Sequence, residues 1–156
     1  MKFSEGDKIV YPLHGVGYVD KVENREILGE ERLYYVFRIT CDDMTVMIPV
    51  DRIEELGVRP IVTEEEIKQA LAILAGKGTK MSDDWKVRFN NNREKIKTGS
   101  IFEVSEVVRN LFQRNRVKEL SSSEKKLYEN AYQLLVDEIS LKMDEKSREY
   151  VENMIS

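Results

Sequence analysis

The chain reads as an α+β protein of two domains, a small Tudor- or SH3-like β-barrel over residues 1–62 followed by a compact all-α domain over residues 63–156. Three observations predict this. Up to Val62 the apolar residues sit in short β-branched and aromatic runs that alternate with polar ones, between turn residues. Beyond Pro60 the spacing of apolar residues changes from a period of about 2 to one of about 3.6. From Thr63 onward helix-start signals recur, with Thr63/Glu66, Ser82, Ser100/Glu103 and Ser121/Glu124 each preceding an apolar stripe. The boundary is expected between Val58 and Thr63.

Lys8 to Tyr11 is a first strand, broken by Pro12 and the Gly15-Val16-Gly17 turn. Val16 to Ile27 and Arg32 to Thr40 flank Gly29 as a hairpin, with Leu33, Tyr35, Phe37 and Ile39 alternating against Tyr34, Val36 and Arg38. Cys41-Asp42-Asp43 turns the chain into Met44 to Val50. Several short strands within so few residues predict a small, strongly bent barrel. In the second half, Thr63 opens a helix that Gly76 stops. Ser82 opens another, with Asp83 and Asp84 in its first turn, where negative charge suits the macrodipole, and Gly99 ends it. Ser100 opens a third helix with the stripe Ile101, Val104, Val108 and Leu111. Ser121 opens a fourth, in which Leu127, Ala131, Leu134, Leu135 and Ile139 face inward, and Asp144 caps a short fifth.

Composition excludes several classes of function. One cysteine, Cys41, and one histidine, His14, are too few for an internal disulfide or a structural zinc site. No apolar run approaches the roughly 20 residues that span a bilayer, and the N-terminus lacks a signal-peptide h-region, so a cytoplasmic protein without membrane contact is expected. The net charge of −4 is unevenly spread: residues 77–126 hold 13 basic against 7 acidic side chains, whereas residues 1–62 hold 8 against 12. The middle of the chain is a basic island.

Enzymatic signatures are missing. Gly15-Val16-Gly17 has no third glycine at dinucleotide spacing and leads into a strand, and Gly76-Lys77-Gly78-Thr79-Lys80 lacks the order of a phosphate loop. His14 lies in a turn with no nucleophile beside it, and Asp42-Asp43 and Asp83-Asp84 read as turn and helix-start residues. No catalytic residue, cofactor, metal or small-molecule substrate is expected.

Trp85 carries the most information. Trp85, Phe89 and Ile96 fall at helical spacing, which fits the end of a buried stripe. Trp85 also sits in the first turn, where a side chain leans back past the helix end, among Lys77, Lys80, Lys86, Arg88, Arg93, Lys95 and Lys97. A large ring framed by phosphate-seeking cations suits a DNA wedge. The spacing alone admits both. Arg109, Arg114, Arg116, Lys118, Lys125 and Lys126 form a second basic cluster, open to a solvated helix end or a phosphate contact.

The opening run Phe3-x-x-Gly6-Asp7-x-Ile9-Val10-Tyr11-Pro12-x-His14-Gly15-Val16-Gly17 resembles the CarD/CdnL family, whose N-terminal domain is shared with the transcription-repair coupling factor. The resemblance continues through Gly29-Glu30, Thr45-Val46-x-Ile48-Pro49, Gly57-Val58-Arg59, Trp85-x-x-Arg88-Phe89, Val107 to Leu111 and Leu120-Ser121-x-x-Glu124-Lys125. It implies a non-enzymatic bacterial transcription regulator. Its Tudor-like domain would bind the RNA polymerase β subunit, and its helical domain would contact promoter DNA near the upstream edge of the bubble, stabilising the open complex. An adaptor on polymerase without DNA contact is the alternative. By resemblance the polymerase contacts are Arg25, Ile27 and position 47, which is basic in some relatives and Met47 here. The expected DNA contacts are Trp85 and Arg88, which match the family pattern, with Lys86, Arg93 and Arg114 of the basic clusters. The run Asn90-Asn91-Asn92 is poorer in cations than in some relatives, so weak DNA binding is expected of the protein alone.

Overall fold

The computed structural model describes residues 3–12, 14–40, 43–142 and 153. The chain divides into two compact units, Met1–Ile61 and Val62–Ser156. The expected fifth helix at Asp144 lies outside the described residues, as do Cys41 and Asp42 of the second turn.

The first unit is one antiparallel sheet of five strands: β1 (Lys8–Tyr11), β2 (Gly15–Ile27), β3 (Glu30–Ile39), β4 (Met44–Pro49) and β5 (Arg59–Pro60), in the order β4-β3-β2-β1-β5. The ladder ends at β4 on one side and β5 on the other, so the sheet is open where a closed barrel was expected. β5 is two residues long and contains Pro60, which has no N–H to extend the ladder, so it is suited to an edge. A bulge between Val19 and Lys21 breaks the register of β2 against β3 and adds local twist. Earlier in β2, Gly17 is required by close approach: a Cβ would stand 2.0 Å from the Arg38 carbonyl oxygen of the neighbouring strand.

One face of the sheet builds the core of this unit from Ile9, Val19, Tyr35, Phe37, Ile39 and Ile48, closed by Phe3, Ile53 and Val58. Phe3 meets Tyr35 edge-on at 5.6 Å between ring centroids, and its N–H donates to the Tyr35 hydroxyl at 2.9 Å.

The described residues of the second unit give the helices α1 (Glu64–Ala75), α2 (Trp85–Lys97), α3 (Ile101–Val117) and α4 (Ser122–Lys142). Thr63 and Glu66 form the expected capping box of α1. Ser100 caps α3, accepting from the N–H of Phe102 at 3.2 Å. Helix α2 starts later than expected: Asp84 is its N-cap and Trp85 its first residue. Ser82 is outside the helix because its hydroxyl accepts from the Asp84 N–H at 3.2 Å and its carbonyl accepts from Arg88 at 3.0 Å. Gly99, at φ +81°, turns the chain out of α2 as no side-chain-bearing residue would easily do. The expected stripes of α3 and α4 are buried, with α3 packed on α1, α2 and α4. Among the described residues no helix is long and apolar enough to cross a membrane.

Candidate functional site

Two surfaces gather the residues singled out by sequence. On the sheet unit, the register of β2 against β3 pairs Arg25 with Arg32 and Ile27 with Glu30, and that of β3 against β4 pairs Val36 with Met47. Paired residues share a face and alternate residues return to it, so Arg25, Ile27 and Met47 stand on one side of the sheet, opposite the core. Arg25 is exposed and bonded to Glu23, which also takes Lys21 at 2.8 Å. These bonds, with the Lys21 one contributing most, hold the Glu23 carboxyl below its ordinary range. Ile27 is 45% exposed, and Met47 is half-buried.

The outer half of the β2–β3 hairpin projects past its neighbours. Along it β4 pairs with Tyr34 to Ile39 and β1 with Gly15 to Tyr18, so among the described residues Glu30 to Leu33 and Lys21 to Ile27 have no strand on their outer sides. Leu28 at the tip has φ +54° and is fully exposed, and Gly29 follows at φ +81°. Two successive positive φ values match a type I′ hairpin turn, where glycine, asparagine or aspartate is the usual first residue. A leucine there is strained, and nothing in the alternating pattern of its neighbours marked it.

On the helical unit, Trp85 is 42% exposed. It lies on the same angular stripe as buried Asn92 and Ile96, yet its position at the helix start carries the ring beyond the turn that would cover it. The Lys86 ammonium lies 5.9 Å from the ring centroid. Lys80, Lys86 and Arg93 are exposed and make no ion pair among the described residues, while Arg114 stands 3.9 Å from Asp83 with a half-buried side chain. Lys95 is held by Glu106 at 2.9 Å, a bond that keeps the Glu106 carboxyl below its ordinary range.

Arg88 departs from the expectation of a solvent-facing cation. Its side chain is 5% exposed and forms a two-point ion pair with Glu124, whose side chain is fully buried. Its remaining nitrogen donates to the Ser82 and Asp83 carbonyls at 3.0 and 3.4 Å. Arg88 therefore joins α2, α4 and the segment before Trp85, and has no free edge for a phosphate. Arg109 of the second basic cluster is likewise buried, donating to Asn110 and to the Ile73 carbonyl. Arg116 lies 5.9 Å from the Phe112 ring and Lys125 is bonded to Glu119.

Sequence reasoning passed over the polar face of α3. Gln113 accepts from the Gly78 N–H at 2.8 Å, and Asn110 accepts from the Thr79 N–H at 3.0 Å and donates to the Thr79 hydroxyl at 2.9 Å. The spacing Glu106, Asn110, Gln113 is that of one helix face, but without the partner segment it is indistinguishable from a solvated surface.

Comparison with known proteins agrees with this division. Residues 3–62 match the family described as the CarD-like/TRCF RID domain, and residues 69–156 match the CarD C-terminal domain. YdeB of Bacillus subtilis (strain 168), named as a candidate transcription factor, is 40% identical over 139 residues, covering 89% of this chain and 91% of its own. The sheet unit is similar to the solution structure of the N-terminal domain of Myxococcus xanthus CarD, at 30% identity over 38% of this chain and 79% of that one, with a TM-score of 0.33. It is also similar to the N-terminal domain of CdnL from the same organism, at 41% identity over 41% of this chain and 90% of that one, with a TM-score of 0.35.

Proposed function

Since the chain belongs to the CarD family, we propose that it is a non-enzymatic regulator of transcription that holds RNA polymerase with its sheet unit and promoter DNA with its helical unit. The observation that carries the DNA half is the exposed Trp85 ring at the first residue of α2, with the Lys86 ammonium 5.9 Å from its centroid and exposed Lys80 and Arg93 on the same unit. The cations hold phosphates, and the ring stacks on or wedges into a base step at the upstream edge of the bubble. Arg88 serves that surface from beneath by fixing the start of α2, and Arg114 borders it.

The polymerase half rests on the projecting hairpin. Its unpaired edges offer backbone N–H and C=O groups to an added strand of the β subunit, and Arg25, Ile27 and Met47 supply side-chain contacts from one face. The small, bent sheet thus serves the role of a Tudor-like module without needing a closed ladder. With one anchor in place, the helical unit meets DNA at a high effective concentration, so a weak DNA surface is sufficient. Such a protein needs no cofactor, acts in the cytoplasm with polymerase, and slows bubble closure by binding energy alone.

The test uses the full chain with polymerase on a promoter. Open complexes challenged with competitor should dissociate more slowly in its presence, and the chain alone should bind forked promoter DNA weakly, with an affinity that falls as salt rises. Binding to the β subunit without any effect on open-complex lifetime, and without salt-dependent DNA binding, would reduce the protein to an adaptor on polymerase.

A further inference from the structure

Between the end of α1 at Ala75 and the start of α2 at Trp85 the chain runs without regular structure, yet its polar groups are taken up one after another by side chains of the helices. Gln113 binds both the Gly76 carbonyl, at 3.2 Å, and the Gly78 N–H. Asn110, itself 3% exposed, binds the backbone and the hydroxyl of Thr79. Glu106 reaches the same hydroxyl at 3.4 Å. Further along, Arg88 takes the Ser82 and Asp83 carbonyls, and Arg114 approaches the Asp83 carboxylate. Close approach is built in at Gly78, where a Cβ would stand 2.5 Å from the Gln113 amide oxygen.

We infer that Asn110 and Gln113 of α3 are positioning residues for Trp85: they fasten the segment that leads into α2, and so fix where the exposed indole stands. The Asp84 cap takes one of the opening N–H groups of α2, so what the α3 contacts add is the path of the segment that brings that cap and Trp85 into place. Arg88 of α2 itself holds Ser82 and Asp83, whereas Gly76, Gly78 and Thr79, the first part of the approach path, are held by α3. The ring is 42% exposed, so its order depends on where the backbone beneath it is held. This rests on the proposed DNA contact for its purpose, but not for its measurement.

Trp85 is the sole tryptophan, so fluorescence excited at the red edge of indole absorption, where the tyrosines do not absorb, reports this position alone. In the full chain, Asn110→Ala removes both bonds to Thr79, whereas Asn110→Asp keeps an acceptor for the Thr79 N–H. Time-resolved anisotropy and acrylamide quenching should show a larger fast component and easier quenching in Asn110→Ala, with most of the change reversed in Asn110→Asp. Affinity for forked promoter DNA should fall about 2- to 10-fold, the size expected when a side chain must be ordered on binding. Circular dichroism confirms that the variants are folded. Should Asn110→Ala not fold, Gln113→Ala, at a less buried site, carries the same expectations. An unchanged anisotropy decay and quenching constant in a folded variant overturns the positioning role. A freer indole with unchanged DNA affinity leaves that role standing and removes Trp85 from the DNA contact.

Discussion

Arg88 and Glu124 meet through two hydrogen bonds, Nε to Oε2 at 2.6 Å and Nη2 to Oε1 at 2.8 Å, and tie α2 to α4. Glu124 also completes the capping box of α4, since its Oε1 accepts from the Ser121 backbone N–H at 3.4 Å and its own N–H donates to the Ser121 hydroxyl at 3.3 Å. Removing one partner of a buried pair leaves the other charge desolvated, so Glu124→Ala should lower the stability of the helical unit by about 3–5 kcal/mol. Urea unfolding followed by circular dichroism measures it.

The same pair predicts acid sensitivity. Burial pushes the Glu124 carboxyl upward, but the bonds from Arg88 and Ser121 and the charge of Arg88 outweigh it and leave the carboxyl below its ordinary value of 4.5. A carboxyl lowered in the folded state contributes stability that is fully present above the ordinary value and is lost as pH falls through the folded one. The helical unit should therefore lose stability below about pH 4.5, and Glu124→Gln should flatten that part of the curve. A melting temperature recorded from pH 7 downward for both proteins checks the sign.

At the hairpin tip, Leu28 adopts φ +54° with its side chain wholly in solvent. Left-handed backbone costs a branched side chain about 1 kcal/mol, and no packing offsets it within the unit. Leu28→Asn should raise the stability of the sheet unit by about 0.5–1 kcal/mol. If the tip contacts polymerase, the same change weakens that binding, which an affinity measurement against the β subunit reads directly.

Local signals were legible and distant partners were not. The alternation in Leu33 to Ile39 and the boxes at Thr63/Glu66 and Ser121/Glu124 involve residues within a few positions of one another, so the pattern that encodes them is visible in the chain. Arg88 read as one cation of a basic cluster because its partner is 36 residues away, and charge density along a sequence cannot separate a solvated guanidinium from a buried one. Asn110 and Gln113 were silent for the same reason. Trp85 lay between: its spacing allowed a core position, and only the late start of α2, set by the Asp84 cap, leaves it half exposed.

Arg25 is opposed across the strands by Arg32 and flanked by Glu23. Arg25→Glu removes a cation from Glu23 but also relieves the facing arginines, and the site is exposed, so stability should change by no more than about 0.5 kcal/mol. If Arg25 lies in the proposed contact, binding to the β subunit should weaken, because a charge reversal there removes one attraction and adds one repulsion. Titration of the folded variant against the β subunit checks it, and unchanged affinity would place the interface elsewhere.

Trp85→Ala separates a structural tryptophan from a working one. Deleting a buried tryptophan costs about 3–5 kcal/mol, because the cavity left behind adds to the lost transfer energy. Trp85 is 42% exposed and stands at the first residue of its helix, while Arg88, Asn92 and Ile96 hold the buried face of α2 without it. The change should therefore cost about 1 kcal/mol or less. If the ring stacks at the bubble edge as proposed, the lifetime of the promoter open complex should nevertheless shorten, and β-subunit binding, proposed for the other unit, should be untouched. Melting curves, competitor-challenged open complexes and β-subunit titration of this one variant give the three readings. A large loss of stability with an unchanged open-complex lifetime would return Trp85 to the core of the helical unit and end its assignment to DNA.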